Sequence, residues 1–435
     1  MKTYSFPRGG ISLEDSTVPG ADACALAFLP TVSVIPLVRH PGGRLKPLVR
    51  EGDKVLEGMP VGQGSGALAS VHATVPGTVE RIARWEDGEG RPCEGVVIRM
   101  SGSFDKLGSS VEDAQPPSRM PVGFLELMDI LESFGIVEME RTCRPLAALL
   151  SGFRRAPESK TLVARCVFDD PWLVAERALC AGRLDAVVEG AFLIAGACGA
   201  ERVIFAVSSG EKRLGQAMLE KAAFYGLQSS MIVTGKKYPQ RSEREMGIVL
   251  REHAKKSEAE PGSALFLGPS TLAAARDAVR LRQPVLERYV AVGGSAVKRP
   301  QVMRARIGKR LGDLFEECGG FSGEVFQVVS GSPFFGENVR YLDEPLTSSS
   351  YAIVAMLKSQ TGARAARNCI SCGECRRVCP VSLNPEELYK MAGFSGAHPD
   401  FGKCTGCACC EIVCPSRLPL RGAILRGKKR EAGDA

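Results

Sequence analysis

Nine of the sixteen cysteines in this chain lie between Cys369 and Cys414, and eight of those nine fall into two copies of one spacing. The first copy is Cys369-x2-Cys372-x2-Cys375-x3-Cys379-Pro380, and the second is Cys404-x2-Cys407-x2-Cys410-x3-Cys414-Pro415. With cysteine at about 4% of the chain, three more at fixed offsets follow a given one by chance about once in 20,000. The spacing has a physical reason. Three thiolates two residues apart sit on a tight loop that wraps one face of an iron–sulfur cubane, while the fourth, followed by proline, is carried toward a second cubane. The expected ligand sets are therefore Cys369, Cys372, Cys375 and Cys414 for one [4Fe–4S] cluster and Cys404, Cys407, Cys410 and Cys379 for the other. Zinc prefers paired knuckles separated by a longer span, often with histidine, and only His398 lies nearby. Cys409 is out of register and reads as a bystander thiol packed against a cluster. The small residues in Ser371-Cys-Gly373 and Thr405-Gly-Cys-Ala408 leave room for backbone N–H groups to approach the sulfurs.

A chain of 435 residues is too long for one ordinary core and implies three or four units. With 44% hydrophobic and 24% charged residues, the composition excludes disordered, collagen-like and coiled-coil classes. Aromatic residues make up 6%, too few for a single-stranded nucleic-acid stacking surface, so no nucleic-acid partner is expected. Of the net charge of +7, part sits in Arg426-Gly-Lys-Lys-Arg430, read as a solvated tail in preference to a docking element for an acidic partner or an anionic membrane. The opening residues lack a secretory apolar segment. The longest apolar run, Gly190 to Ala200, is about half of the roughly 20 residues a membrane span needs. Clustered cysteines in a leaderless chain point to a reducing compartment. The four histidines, His40, His72, His253 and His398, are dispersed and read as surface or structural residues, and no catalytic set stands out.

Along the chain, short strands and turns from Val32 to Met100 form a small all-β unit, with Lys46 to Gly58 and Val71 to Val79 patterned like a lipoyl-type barrel-sandwich hybrid. It carries no lysine placed for lipoylation. A polar linker is expected near Ser101 to Pro121. Alternating helix and strand then predict an α/β domain with a mainly parallel sheet: helices at Phe124–Phe134, Trp172–Val188, Lys212–Tyr225 and Pro269–Arg282, and strands at Thr161–Phe168, Glu201–Val207 and Ser263–Gly268. Strand character returns at Glu287–Gly294 and Gly323–Gly331. The expected units are a barrel-sandwich β domain over 1–115, an α/β domain over 122–284, a small β-grasp-like insert over 285–335 and a helical di-cluster ferredoxin-type domain over 352–425.

This order resembles the C subunit of the Rnf ion-translocating electron-transport complex. The likeness is carried by Tyr4-Ser-Phe-Pro-Arg-Gly-Gly-Ile11, Lys46-Pro-Leu-Val with Glu51-Gly-Asp-Lys-Val55, Val71-His-Ala73 with Gly77-Thr-Val79, Tyr238-Pro239, Glu287 to Gly293, Ser330-Gly-Ser-Pro-Phe-Phe-Gly336 and both cysteine runs. The resemblance implies an α/β domain like the flavin- and NADH-binding subunit of respiratory complex I. It also implies a peripheral position on the cytoplasmic face of the bacterial inner membrane, membrane subunits as partners, and electrons exchanged with NADH and passed through the clusters. Ion movement takes place elsewhere in such a complex.

One segment departs from that family. Its members carry a glycine-rich loop after the first helix, and a bare backbone there cradles phosphate. Here the segment reads Phe134-Gly-Ile-Val-Glu-Met-Glu-Arg-Thr-Cys-Arg-Pro145, keeping Gly135 as the one candidate cofactor-binding residue and substituting Glu138, Glu140 and bulky residues for the rest. Two carboxylates repel a phosphate by on the order of 1–4 kcal/mol each at short range. The acidic segment is thinned to Asp169-Asp-Pro-Trp172, and Val207-Ser-Ser-Gly210 is a lone glycine turn. The sequence therefore predicts an FMN/NADH site that is weak or lost, with electrons arriving from a partner such as ferredoxin or another flavoprotein. Two alternatives stand beside this reading: an NADH:acceptor flavoprotein that retains FMN through a rearranged loop, and a cluster-bearing, cobalamin-reductase-like scaffold.

Overall fold

The computed structural model describes residues 2–21, 23–39, 43–64, 68–102, 121–140, 143–257, 262–358, 365–392 and 399–431. His40, His398 and residues 103–120 of the expected linker lie outside them. In the β unit, strands Val32–Pro36, Lys54–Val55, Gly77–Glu86 and Pro92–Met100 form a four-stranded antiparallel sheet, and Lys46–Pro47, Pro60–Gln63 and Val71–His72 form a three-stranded one. Alternate residues Ile35, Val79, Val96 and Ile98 of the first share a core with Val61 and Val71 of the second, as a period of two requires. The long hairpin is closed by Asp87, whose carboxylate accepts from the backbone N–H groups of Glu89 and Arg91, both at 2.9 Å.

The opening residues do not join this unit, which corrects the expected boundary at residue 1. Thr3–Tyr4 pairs in parallel with Ser229–Thr234 of the α/β sheet, and Cys24–Leu26 pairs in parallel with Gln301–Arg306 of a third sheet. Strands this short carry no readable alternation. Burial fixes their partners instead, with Tyr4 seated among Val163, Ile204 and Ile232.

The α/β unit carries helices α1 (Phe124–Ser133), α2 (Leu146–Arg155), α3 (Val174–Gly182), α4 (Leu184–Cys198), α5 (Lys212–Phe224), α6 (Glu243–Ser257) and α7 (Pro269–Leu281). Its five parallel strands run in the order Thr3–Tyr4, Ser229–Thr234, Arg202–Ser208, Lys160–Cys166, Ser263–Leu267. Leu162, Ala164 and Cys166 pack with α1, α2, α4 and α7, while Val163 and Val167 pack with Met246 and Val249 of α6. The order reverses between Lys160–Cys166 and Ser263–Leu267, and the crevice outside their carboxyl ends is where open α/β sheets ordinarily receive ligands. The single helix expected over 172–188 is broken: Arg183 is non-helical at φ −133°, ψ 38°, and α4 restarts the chain. Most of the apolar run from Gly190 lies within α4, which Gly199 ends in a left-handed turn.

The third sheet has six strands, ordered Glu337–Val339, Val325–Ser330, Ala352–Leu357, Glu287–Gly293, Gln301–Arg306 and Cys24–Leu26. It packs on α8 (Leu311–Glu317) through Val290, Val292, Met303, Phe315 and Ile353. The expected limits at 335 and 352 are thereby corrected, because Ala352–Leu357 is an inner strand, parallel to Glu287–Gly293 and antiparallel to Val325–Ser330. The tail that follows holds α9 (Glu374–Arg377), α10 (Pro385–Ala392), α11 (Cys409–Ile412) and α12 (Leu420–Glu431). Among the described residues no helix is long and apolar enough to cross a membrane.

Candidate functional site: two four-cysteine cavities and a closed crevice

The two cysteine runs fold alike. Two and four residues after each first cysteine the backbone turns left-handed, at Ser371 (φ 51°) and Gly373 (φ 77°) in one run and at Gly406 (φ 69°) and Ala408 (φ 65°) in the other. Three residues after each fourth cysteine it does so again, at Ser382 (φ 56°) and Arg417 (φ 52°). Holding non-glycine residues in this region costs on the order of 1 kcal/mol each, so the curl of both loops is maintained by its surroundings. One cavity of about 330 Å³ is lined by Cys369, Cys372, Cys375 and Cys414. A second, of about 360 Å³, is lined by Cys404, Cys407, Cys410 and Cys379. The fourth cysteine of each run thus lines the cavity of the other run. Among the described residues no three His, Cys, Asp or Glu side chains converge closely enough for a single metal ion; the thiols border open spaces instead.

Backbone amides are already aimed at sulfur: Ser371 N–H donates to Cys369 Sγ at 3.4 Å, Gly406 N–H to Cys404 Sγ at 3.4 Å and Leu383 N–H to Cys379 Sγ at 3.3 Å. Burial pushes the Cys375, Cys379, Cys404 and Cys410 thiols above their ordinary range. Cys407 is instead lowered to about 6, chiefly by a hydrogen bond from the Cys409 thiol. The out-of-register Cys409 is fully buried beside Val378 and Tyr238. In the run Arg426–Arg430, read as a solvated tail, Lys428 Nζ instead donates to the Cys404 carbonyl at 2.9 Å and Arg430 to the Ala392 carbonyl at 2.7 Å, while Arg421 Nε, ahead of that run, donates to the Gly406 carbonyl at 3.0 Å.

The second cavity faces the rest of the protein. Tyr238 donates its hydroxyl to the Cys407 carbonyl at 3.0 Å and stacks on Phe335 at 5.8 Å. Gly10 N–H donates to the Val378 carbonyl at 2.8 Å. Gly9, with φ 62°, lies so close that a Cβ there would sit 2.5 Å from the Cys379 carbonyl carbon and oxygen. The first cavity faces outward, with Cys369 and Cys372 exposed and Ile370 66% exposed between them.

At the carboxyl edge of the parallel sheet the geometry differs. Gly135, the candidate phosphate cradle, follows α1 with φ 60°, and a Cβ there would sit 2.0 Å from the Ser70 carbonyl oxygen. Its bare backbone lets the β unit pack on α1, beside His72, whose Nε2 lies 3.0 Å from the Ser133 carbonyl. Glu140 is bonded to the guanidiniums of Arg165 and, at 2.6 Å, Arg241. Its carboxylate lies against Gly268, the residue preceding α7. Glu176 accepts from Ser270 N–H at 3.2 Å and from Arg288 at 2.7 Å, and Thr271 Oγ1 accepts from Met139 N–H at 3.0 Å. Asp169 accepts from Arg241 N–H at 2.9 Å. Burial pushes Asp169 up to about 6 and Asp170 up to about 7, and it also raises Glu140. Ser208, in the lone glycine turn, accepts from Phe168 N–H at 2.9 Å. None of these pairings was visible in the sequence, since the partners are remote along the chain.

Fold and cavities together define a class: a modular protein in which a β unit and a parallel α/β unit carry a tail with two four-cysteine cavities. Residues 6–103 match the RnfC barrel sandwich hybrid domain. The chain is 28% identical over 392 residues, 88% of its own length and 83% of the relative's, to the C subunit of the proton-translocating ferredoxin:NAD(+) oxidoreductase complex of Clostridium ljungdahlii. It is equally identical to the C subunit of the ion-translocating oxidoreductase complex of Rhodobacter capsulatus, over 89% of this chain and 75% of that one. The same identity holds for the C subunit of the Na(+)-translocating ferredoxin:NAD(+) oxidoreductase complex of Acetobacterium woodii, over 83% and 82%. A solved chain of an NAD(+)-reducing nickel–iron hydrogenase aligns with a TM-score of 0.48 and 12% identity, over 70% of this chain and 60% of that one. The chain thus carries an RnfC barrel sandwich hybrid domain and, over most of its length, is similar to C subunits of ion-translocating oxidoreductase complexes.

Proposed function

We propose that this chain is the electron-relaying C subunit of a membrane-bound Rnf-type complex that couples electron transfer to ion translocation. It holds one [4Fe–4S] cluster on Cys369, Cys372, Cys375 and Cys414 and another on Cys404, Cys407, Cys410 and Cys379. The observation that carries this reading is the pair of cavities, each lined by four cysteines with the fourth contributed by the opposite run. A group of several irons needs thiolates spread around a volume, whereas a single zinc ion needs them about 2.3 Å from one point.

Such clusters, when bound, supply one-electron exchange without proton chemistry. The chain's own residues do the rest. Ser371, Leu383 and Gly406 direct N–H groups at ligand sulfurs, which raises potential by stabilising the added charge. Leu418 and Leu420 in the first cavity, and Val381, Leu383 and Ile424 in the second, exclude water. The exposed first cavity suits exchange with a soluble carrier such as ferredoxin or a flavoprotein. The second, packed under Tyr238 and Phe335, suits relay within the protein. The protein is peripheral, on the cytoplasmic face, and leaves ion movement to membrane partners.

Anaerobic purification tests this directly. The protein should be brown, with about eight iron and eight acid-labile sulfide per chain, and it should co-purify with membrane subunits. Colourless protein, zinc in place of iron, or silence in reduced-state EPR refutes the cluster assignment. Full clusters without membrane partners would favour the scaffold role.

A further inference from the structure

We propose that Glu140 is a built-in substitute for an anionic ligand, closing the crevice of the α/β unit against the flavin and dinucleotide phosphates that this architecture would otherwise receive there. This stands independently of the clusters. The crevice has the parts of an oxyanion site. Arg165 is the penultimate residue of the strand Lys160–Cys166, Arg241 crosses the sheet edge with its guanidinium also on the Arg165 and Val167 carbonyls at 2.9 and 3.1 Å, and the first turn of the thirteen-residue α7 opens beside Gly268. Arg165 is 6% exposed, and its Nε has no hydrogen-bond partner in the structure.

Every element that would grip phosphate already grips a carboxylate. Glu140 takes both guanidiniums and lies so near Gly268 that its Oε1 would be 1.5 Å from a Cβ on that residue. Glu176 takes the Ser270 N–H and hydroxyl, at 3.2 and 2.6 Å. Thr271 clamps Met139 and so fixes the loop that delivers Glu140. The charge count agrees with the geometry. Among the described residues, Glu140, Asp169 and Glu176 face Arg165, Arg241 and Arg288, all buried or nearly so, so three acids already meet three bases. Adding a phosphate dianion to an interior whose charges are already matched is electrostatically unfavourable. Removing Glu140 leaves two acids against three bases, with two guanidiniums facing an open space beside a helix N-terminus, the arrangement that binds oxyanions.

The test uses the full chain, anaerobically prepared. Wild-type protein should retain no FMN after desalting, and NADH titration should give neither fluorescence change nor bleaching. E140A should gain a phosphate-dependent rise in unfolding temperature, roughly 3 °C or more at about ten times the dissociation constant, over chloride of equal ionic strength. Wild type should show no such rise. E140S serves the same comparison if E140A does not fold. Stoichiometric FMN or NADH binding by wild-type protein overturns the proposal, as does a folded Glu140 variant that gains nothing from phosphate. Iron and sulfide content reports on the clusters alone, so failure there is told apart from failure here.

Discussion

The crossing of the fourth cysteine can be decided by two double substitutions. Cys375 and Cys414 line one cavity, whereas Cys375 and Cys379 line different ones. Four thiols per cavity imply about four iron in each and about eight in the chain. Cys375→Ala with Cys414→Ala removes two of the four ligands from the first cavity and none from the second. The product should keep about four iron per chain and one cluster signal with wild-type EPR parameters. Cys375→Ala with Cys379→Ala removes one ligand from each cavity, so no wild-type signal should survive and the remaining iron should be heterogeneous. Iron and sulfide analysis with reduced-state EPR on anaerobic protein reads both outcomes. If each run instead held its own cluster, the results would exchange: the 375/379 variant would keep an intact cluster and the 375/414 variant would damage both. That exchange would refute the crossed ligand sets and the shape of the cavities from which they are read.

Glu176→Gln should strongly destabilise the junction of α3, α7 and the third sheet, because it leaves Arg288, 1% exposed, without its counter-charge. A loss of about 3–5 kcal/mol is expected, read in urea by the fluorescence of the buried Trp172 in a Trp85→Phe background, and Glu176→Gln/Arg288→Met should recover part of it. Burial holds Asp170 at about 7, so the folded state binds its proton more tightly than the unfolded state does. Stability is then present at low pH and lost as pH rises from about 4 to about 7, by at most about 1.4 kcal/mol per pH unit; Asp170→Asn should flatten unfolding midpoints between pH 5 and 7.5, and an unchanged slope would contradict the burial argument. Gly9→Ala forces a Cβ into the Cys379 backbone at a left-handed position. It should lower iron from about eight toward about four per chain, with loss of the cluster signal that depends on Cys407.

What was legible in the sequence was local. The cysteine runs announce themselves because their meaning lies within eleven residues of chain, and the strands Lys160–Cys166 and Arg202–Ser208 because continuous apolar runs mark doubly covered strands. Thr3–Tyr4 is too short for any pattern. Helix α6 escaped because it is mainly polar, offering Met246 and Val249 to the far face of the sheet. The loop after α1 is the instructive failure. Reading Glu138 and Glu140 as repellent to phosphate gets the sign of the interaction right, yet it leaves Glu140 without a reason to be buried. The reason lies 25 and 101 residues further along, in Arg165 and Arg241, and no periodicity or spacing connects them. A carboxylate enters an interior only when paired charge offsets its desolvation, so a buried Glu140 requires the guanidiniums, and the guanidiniums in turn require an anion. Once the fold brings them to one sheet edge, the same glutamate that would repel a phosphate takes its place.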